Sequence, residues 1–315
     1  YLILRNPRLR MYDDFLIKIS VSRWDKAFPK SLSKKKKILY VFHPCYMDII
    51  KHIDYDVLVY HCYDNLLKMR GSDDAKLKLQ EEELCLIADF VFASSESTKE
   101  RFETEYKADN IFFLPNGVDF DLFQRNLPEN RISLEIKSAA KKTAGYVGSV
   151  NDKFDFDLVF ELAKRMSHVC FVFVGRVNNL SETNKQKWKS IIDLSNTTHH
   201  GLCAKEDVPN ILRSLDVNCL FYSSGKNSFA KDCYPLKLHE SLASGIPLVS
   251  TPIRSVAAFS DHVLLASSVD EWEKKITLAI TEPERAPSSK KERVLLAKQN
   301  SWDHRAEMIS EILHI

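Results

Sequence analysis

The stretch Pro235-Leu-Lys-Leu-His-Glu-Ser-Leu-Ala-Ser-Gly-Ile-Pro-Leu-Val249 decides how this chain is read. It runs as a loop, a short helix, a glycine stop and the start of a strand. Leu236, Leu238 and Leu242 recur at helical spacing and can face a core. Gly245 suits the position just past a helix C-terminus, and Pro247 cannot continue the helix. Lys237, Glu240 and Ser241 are spaced i, i+3, i+4, so they share one face of the first turns. A cation and a carboxylate at a helix N-terminus entered from a loop suit a phosphorylated sugar. The ammonium and the free N–H groups meet phosphate oxygens, and the carboxylate accepts hydrogen bonds from ribose hydroxyls. The same spacing also describes an exposed Lys–Glu pair on an ordinary amphipathic helix, worth roughly a few tenths of a kcal/mol.

Outward from this segment the chain alternates apolar runs with helical patterns. Lys37–His43, Val57–Tyr60, Asp89–Ser94 and Asn110–Leu114 read as strands, with helices over about 73–88 and 97–106. After a polar stretch from Gln124 to Lys142, read as the interdomain segment, the alternation resumes. Gly145–Gly148 ends a strand, Val169–Val174 and Val217–Phe221 are strands, and 157–166 and 207–215 are helical. The run from Glu292 to Leu313 is helical with a break near Asn300. Apolar strands separated by helices indicate parallel sheets covered on both faces, which place ligands beyond the strands' C-terminal ends.

Composition narrows the function. The 315 residues suffice for two domains, and 44% hydrophobic with 28% charged residues is globular. Forty-five basic against 43 acidic residues leave a formal charge of +2, which argues against a dedicated nucleic-acid binder. Seven cysteines form no C-x-x-C pair, and several lie in apolar runs, as in a reduced, cytosolic chain without disulfides or zinc. No apolar stretch approaches the roughly 20 residues that span a bilayer. The chain starts at Tyr1, not Met, with an apparent strand over Tyr1–Leu4, and is expected to be part of a longer protein.

Further residues carry chemistry. In Gly145-Tyr-Val-Gly-Ser-Val-Asn151, Gly148 lets the backbone approach a ligand, and the hydroxyl and N–H of Ser149 can bind phosphate; a plain strand-to-helix turn is the other reading. Arg176, in Val174-Gly-Arg176, is either a bidentate phosphate contact or a solvated loop charge. His199-His200 has no third ligand at metal spacing, so no metal is expected. In Val59-Tyr-His-Cys-Tyr-Asp-Asn65, at a strand end, Asp64 can deprotonate an acceptor hydroxyl, bind a sugar, or cap the next helix; His61 is the competing base. The basic run Lys30, Lys34–Lys37 is either a solvated turn or a membrane-facing patch, worth roughly 1 kcal/mol per residue near anionic lipid.

Several of these segments resemble GT-B glycosyltransferases. The opening stretch is similar to their donor-nucleotide motif P-x-K-x-x-E-x-x-A-x-G-x-P. The E-x7-E pattern of many retaining members ends at Glu240, but its first acid is here Asp232, which leaves retention or inversion open. Val147-Gly148, continuing to Phe154-Asp-Phe-Asp157, resembles the V-G-x-x-x-x-x-x-D donor-diphosphate turn of a subgroup that includes bacterial polysaccharide and teichuronic-acid transferases, and a xanthan glucuronosyltransferase looks similar there. Val59–Asn65 resembles that subgroup's V-Y-D-x-x-D-D, with His61 in place of the first Asp. Asp89–Ser95 resembles the A-D-x-V-x-x-x-S strand and helix start. Leu114-Pro-Asn-Gly-Val-Asp119 resembles the P-N-G-V-D turn that closes the N-terminal domain, its Asn-Gly expected to adopt positive φ. The likeness covers about residues 37–315.

The resemblance implies a GT-B α/β fold: two Rossmann-like domains with parallel sheets facing across a cleft. Expected boundaries are 1–135 for an N-terminal acceptor-side domain that lacks its first βα unit, 136–298 for a nucleotide-sugar domain, and 299–315 for a helix packing back toward the first domain. It implies that Gly148, Ser149, Arg176, Asp232, Pro235, Leu236, Lys237 and Glu240 bind the donor, and that Asp64 or His61 acts on the acceptor. The implied function is metal-independent transfer from a nucleotide-diphosphate sugar, UDP before GDP, to a saccharide or lipid-linked acceptor in bacterial surface polysaccharide assembly. The enzyme would be cytoplasmic and peripheral to the inner membrane face, with no cofactor and no nucleic-acid partner. Two alternatives are a sugar-nucleotide epimerase of the same fold and a degenerate, non-catalytic GT-B binding subunit.

Overall fold

Continuous apolar runs form the centres of both sheets, because a parallel strand is covered on both faces. The computed structural model describes residues 2–4, 36–69, 75–178, 180–223 and 229–314. They fall into two compact units, Tyr1–Pro115 and Asn116–Ile315.

The first unit holds a five-stranded parallel sheet: β1 (Leu2–Leu4), β2 (Ile38–Val41), β3 (Val57–Cys62), β4 (Phe90–Ala93) and β5 (Ile111–Phe113), in that spatial order. The terminal strand expected over Tyr1–Leu4 pairs parallel with β2. Helices α1 (Ala75–Ile87) and α2 (Glu96–Glu105) join the strands. Leu84, Cys85 and Phe102 from these helices share a core with Leu39, Val41, Leu58, Tyr60 and Val91. The alternate strand positions carry an aromatic group on the other face: Tyr40, His61, Phe92 and Phe112. Ser95 is the N-cap of α2 and accepts from the Thr98 N–H at 3.2 Å. Of the basic run, Lys30, Lys34 and Lys35 lie outside the described residues. Lys37 forms an ion pair with Asp54 at 2.5 Å, and its N–H donates to Asp56.

The second unit opens with α3 (Phe120–Gln124) and α4 (Arg131–Lys137). It continues with β6 (Lys142–Val147), α5 (Phe156–Arg165), β7 (Val169–Val174), α6 (Glu182–Ile192), β8 (Thr197–His199), α7 (Val208–Ser214) and β9 (Val217–Leu220). Then come α8 (Leu236–Ser244), β10 (Leu248–Ser250), β11 (Leu264–Leu265), α9 (Val269–Thr281), α10 (Lys290–Gln299) and α11 (Trp302–Leu313). The six strands are parallel, in the order β11-β10-β9-β6-β7-β8. Strand β7 shows why the sheet is buried on both sides. Phe171 and Phe173 enter one core with Leu162, Trp188 and Trp272, while Val172 and Val174 enter the other with Ile211, Leu238 and Leu242.

The division falls at Pro115/Asn116, earlier than the boundary expected at 135/136. The polar stretch from Gln124 to Lys142 is not a free linker. It contains α4, whose Ile132 and Ile136 are buried against the second sheet with Ile211 and Leu212. Asn130 and Ser133 form a reciprocal capping box at its start. The final helix, expected to pack back toward the first domain, starts within the second unit: the Val118 N–H donates to the Asn300 carbonyl and the Trp302 N–H to that of Val118, both at 3.0 Å. Gly117 does not adopt the expected positive φ. A Cβ there would stand 3.0 Å from the Ser301 carbonyl carbon, so close backbone approach explains the glycine.

Candidate donor site

Strand order reverses between β6 and β9, and an open parallel sheet forms its ligand crevice beyond the strand ends at such a point. β6 runs out into Gly148, whose N–H donates to the Val174 carbonyl at 2.7 Å. β7 runs out into Gly175, whose N–H donates to the Gly201 carbonyl at 2.6 Å. Three neighbouring strand ends are therefore stitched together by backbone bonds. Gly148 has φ +145, and a Cβ there would lie 1.8 Å from Cε of Lys237. The lysine stem thus lies directly against the Gly148 backbone. Its Nζ stands 5.4 Å from the Tyr146 ring centroid, and the Tyr146 hydroxyl donates to the Ser149 carbonyl at 2.9 Å.

Lys237 comes from the first turn of α8. That helix starts at Pro235, which fits an N-cap with extended backbone, and no side chain caps its first N–H groups. It ends at Gly245 with φ 76, the left-handed stop expected from the sequence. The loop before α8 is held at successive carbonyls: Ser255 Oγ donates to Cys233 at 2.8 Å and Asn116 Nδ2 to Tyr234 at 2.7 Å. At the far end the Arg293 guanidinium donates to the Gly245 carbonyl.

Electrostatics couple the two charged residues of the motif. Burial works against the Lys237 ammonium, but Tyr146 and Glu240 outweigh it and hold its pKa above the ordinary lysine value. Burial raises the Glu240 pKa; Lys237 and Lys205 oppose this without cancelling it. Lys205 is itself paired with Asp119 at 2.7 Å. A partly exposed cation beside uncapped helix N–H groups and a partly exposed carboxylate one turn on form an anion-and-hydroxyl recognition surface.

The structure brings Gly148, Ser149, Pro235, Lys237 and Glu240 together at the end of β6 and the start of α8. Leu236, expected on the core face, is 46% exposed, because the core face of α8 begins at Leu238. Ser241, one turn on from Lys237, is not an exposed member of the Lys237–Glu240 face. It is buried, and its carbonyl accepts from the Ser244 hydroxyl. Arg176 is exposed at the β7 exit, and its carbonyl accepts from the Val150 N–H. Asp232 is half-buried at the end of a short turn before α8. His199 and His200 are engaged locally, with the Gly175 carbonyl at 2.9 Å and the Glu135 carboxylate at 3.3 Å. No group of three or more metal-ligating side chains occurs among the described residues. The sequence reading missed Tyr146, Lys205 and Asn116, each remote from the motif; only Asn116, inside the P-N-G-V-D turn, carried a signal.

In the first unit, Asp64 follows β3 and is half-buried, with Oδ1 accepting from the Asn65 N–H at 2.8 Å. His61 is buried on β3, its Nδ1 2.9 Å from the Tyr40 hydroxyl, and burial lowers its pKa to about 4. His239 in α8 is lowered to about 3, by burial first and then by Arg305. Both imidazoles are neutral in the fold and protonate more readily once unfolded, so stability is lost as pH falls below about 6.5. Thermal melts between pH 7 and 4 should therefore decline steeply, and less so in His61→Gln; equal slopes would show that His61 contributes nothing to the acid loss.

Known proteins share parts of this sequence and its fold. Residues 157–311 match the family model described as glycosyl transferase-like. Over 249 residues the chain is 24% identical to a protein of Bacillus subtilis (strain 168) provisionally named as the teichuronic acid biosynthesis glycosyltransferase TuaH. That match covers 74% of this chain and 60% of TuaH, so the chain spans less than two thirds of its relative. Among solved structures, Anabaena Alr3699/HepE in complex with UDP and glucose superposes with a TM-score of 0.71 at 15% identity, covering 95% of this chain and 81% of HepE. A glycosyltransferase of Rickettsia africae gives a TM-score of 0.68 at 14% identity, covering 98% and 83%. The chain has the GT-B fold, each unit built on a parallel sheet. The match to the glycosyl transferase-like family model lies within the second unit.

No helix among the described residues is long and apolar enough to cross a membrane.

Proposed function

We propose that this chain transfers a sugar from a nucleotide-diphosphate donor, a UDP-sugar in the first instance, to a saccharide or lipid-linked acceptor in the assembly of a surface polysaccharide. One observation carries the reading: Lys237 lies across Gly148 at the topological switch point, beside the uncapped start of α8. Charge develops on the leaving diphosphate during transfer, and a fixed ammonium with backbone N–H groups stabilises it there. In this reading Gly148, Ser149 and Lys237 hold the diphosphate, Glu240 accepts from the ribose hydroxyls, and Arg176 and Asp232 stand at the rim. The diphosphate charge is met by these groups rather than by a divalent metal. The complexes of HepE with UDP and with UDP-glucose, and the teichuronic acid assignment of TuaH, support the donor and pathway class.

The test is calorimetric titration with UDP in the presence of EDTA. The wild type should bind, and Lys237→Ala should bind at least about tenfold more weakly, the loss of one charge-assisted contact. Unchanged affinity in the variant would remove the donor-site assignment, and binding that requires added metal would remove the metal-free part of the reading.

Asp64 is proposed to act on the acceptor, as base or hydroxyl acceptor. It is the partly exposed acid at the end of β3, whereas His61 is engaged with Tyr40 and buried among aromatic rings. Asp64→Asn should cut transfer by about 10²-fold or more with UDP affinity preserved. Wild-type transfer rates in that variant would remove Asp64 from the chemistry.

A further inference from the structure

We propose that His239, acting through Tyr234, is a positioning residue for the donor helix: it fixes the loop that delivers the start of α8, and with it Lys237, to the nucleotide diphosphate. This rests on the donor-site reading above and adds to it a network that touches none of the proposed substrate atoms.

The geometry converges on Tyr234. Its hydroxyl is 2.7 Å from His239 Nε2, and it also hydrogen-bonds the Arg305 guanidinium of α11. Its carbonyl accepts from Asn116, and the carbonyl just before it, of Cys233, accepts from Ser255. Arg305 in turn donates to Asn300 Oδ1 at 2.5 Å, and the Asn300 carbonyl accepts from the Val118 N–H. Three segments remote in sequence, at Asn116, Ser255 and Arg305, therefore meet at the two residues that precede the N-cap of α8. A helix start with no side-chain cap depends on such outside contacts for its orientation.

The imidazole suits this task because only its neutral form satisfies the arrangement. Arg305 can only donate, so the Tyr234 oxygen accepts from it and the Tyr234 hydrogen goes to His239 Nε2. An imidazolium would face the guanidinium and leave the Tyr234 hydrogen without that acceptor. His239 is fully buried, with Phe259 edge-on at 5.3 Å, and its Nδ1 has no hydrogen-bond partner among the described residues. A buried polar atom left unpaired is destabilising, so a leucine or methionine would fill the core with less penalty. The retained Nε2 contact to Tyr234 accounts for the histidine.

The experiment uses the whole chain with Tyr234→Phe, His239→Leu and His239→Gln, reading UDP affinity, melting temperature and hydrogen exchange of the Leu236–Leu238 amides. Tyr234→Phe and His239→Leu should stay folded, weaken UDP binding about five- to tenfold, and exchange those amides faster while the sheet amides keep their protection. His239→Gln, which keeps a hydrogen-bonding group at that position, should recover part of both effects. Unchanged UDP affinity and unchanged exchange in folded variants would overturn the inference, as would losses spread evenly over the unit. If the wild type binds no UDP, the donor-site reading fails by itself, and the exchange of the α8 amides still decides whether the network positions the helix.

Discussion

Gly148→Ala is expected to reduce sugar transfer by about 10²-fold or more, the scale of a catalytic group displaced by an ångström. At φ +145 an added Cβ would lie 1.8 Å from Lys237 Cε and 2.8 Å from its Nζ, so the ammonium has to leave its place over Tyr146. The backbone cannot yield easily, because Gly148 N–H is bonded to Val174 and the Gly148 carbonyl oxygen is within 2.2 Å of where a Gly175 Cβ would stand. Gly201→Ala is the matched control. It also has positive φ, +68, but its Cβ would meet nothing within 4 Å, so it bears only the left-handed backbone penalty of about 1–2 kcal/mol. Side-by-side measurement of UDP affinity, transfer rate and melting temperature separates crowding from strain. If both variants lose activity in step with stability, the close contact between Gly148 and Lys237 has no functional weight.

The legible part of this chain was the part whose information is local. Val169–Val174 is apolar at every position and bounded by Gly175, and it is a central strand. The motif of α8 carries its own cap, core face and charged face within ten residues, so Lys237 and Glu240 could be placed from spacing and resemblance alone. What was missed depends on contacts between distant segments. β8 is the polar edge strand Thr197-Thr-His199, with its outer side unpaired in the sheet, and only its pairing with β7 defines it. α6 buries little beyond Trp188 and Ile191, so its pattern is mostly solvent-facing lysines. The unit boundary moved because the charged residues of Arg131–Lys137 mask Ile132 and Ile136, whose spacing matters only once Ile211 and Leu212 are opposite them. Within the site, Tyr146 is indistinguishable in sequence from any core tyrosine of a strand; the lysine above its ring gives it a role.

The other large effect concerns a buried charge that no motif announced. Glu81 of α1 is fully buried, and its carboxylate is shared by Arg101 at 2.7 Å, Tyr106 at 2.9 Å and Tyr60 at 3.2 Å. The Arg101 side chain is 14% exposed and lies 4.6 Å from the Phe102 ring centroid. These residues tie α1 and α2 to β3, the strand that leads to Asp64. Removing one partner of a buried pair leaves the other charge desolvated and uncompensated, a loss of about 3–5 kcal/mol, whereas replacing both by apolar groups is often nearly neutral. Arg101→Met should therefore lower the melting temperature of the first unit by about 10 °C or more. The double variant Glu81→Leu with Arg101→Met should regain much of that loss, less the two tyrosine hydroxyls it leaves without an acceptor. Calorimetry on the whole chain reads this directly. A single Arg101→Met variant within about 1 kcal/mol of wild type would show that the tyrosine hydroxyls alone solvate Glu81. Recovery in the double variant would show that the ion pair adds no net stability, leaving the apolar packing of β3 against Phe102 and Leu84 to hold these elements together.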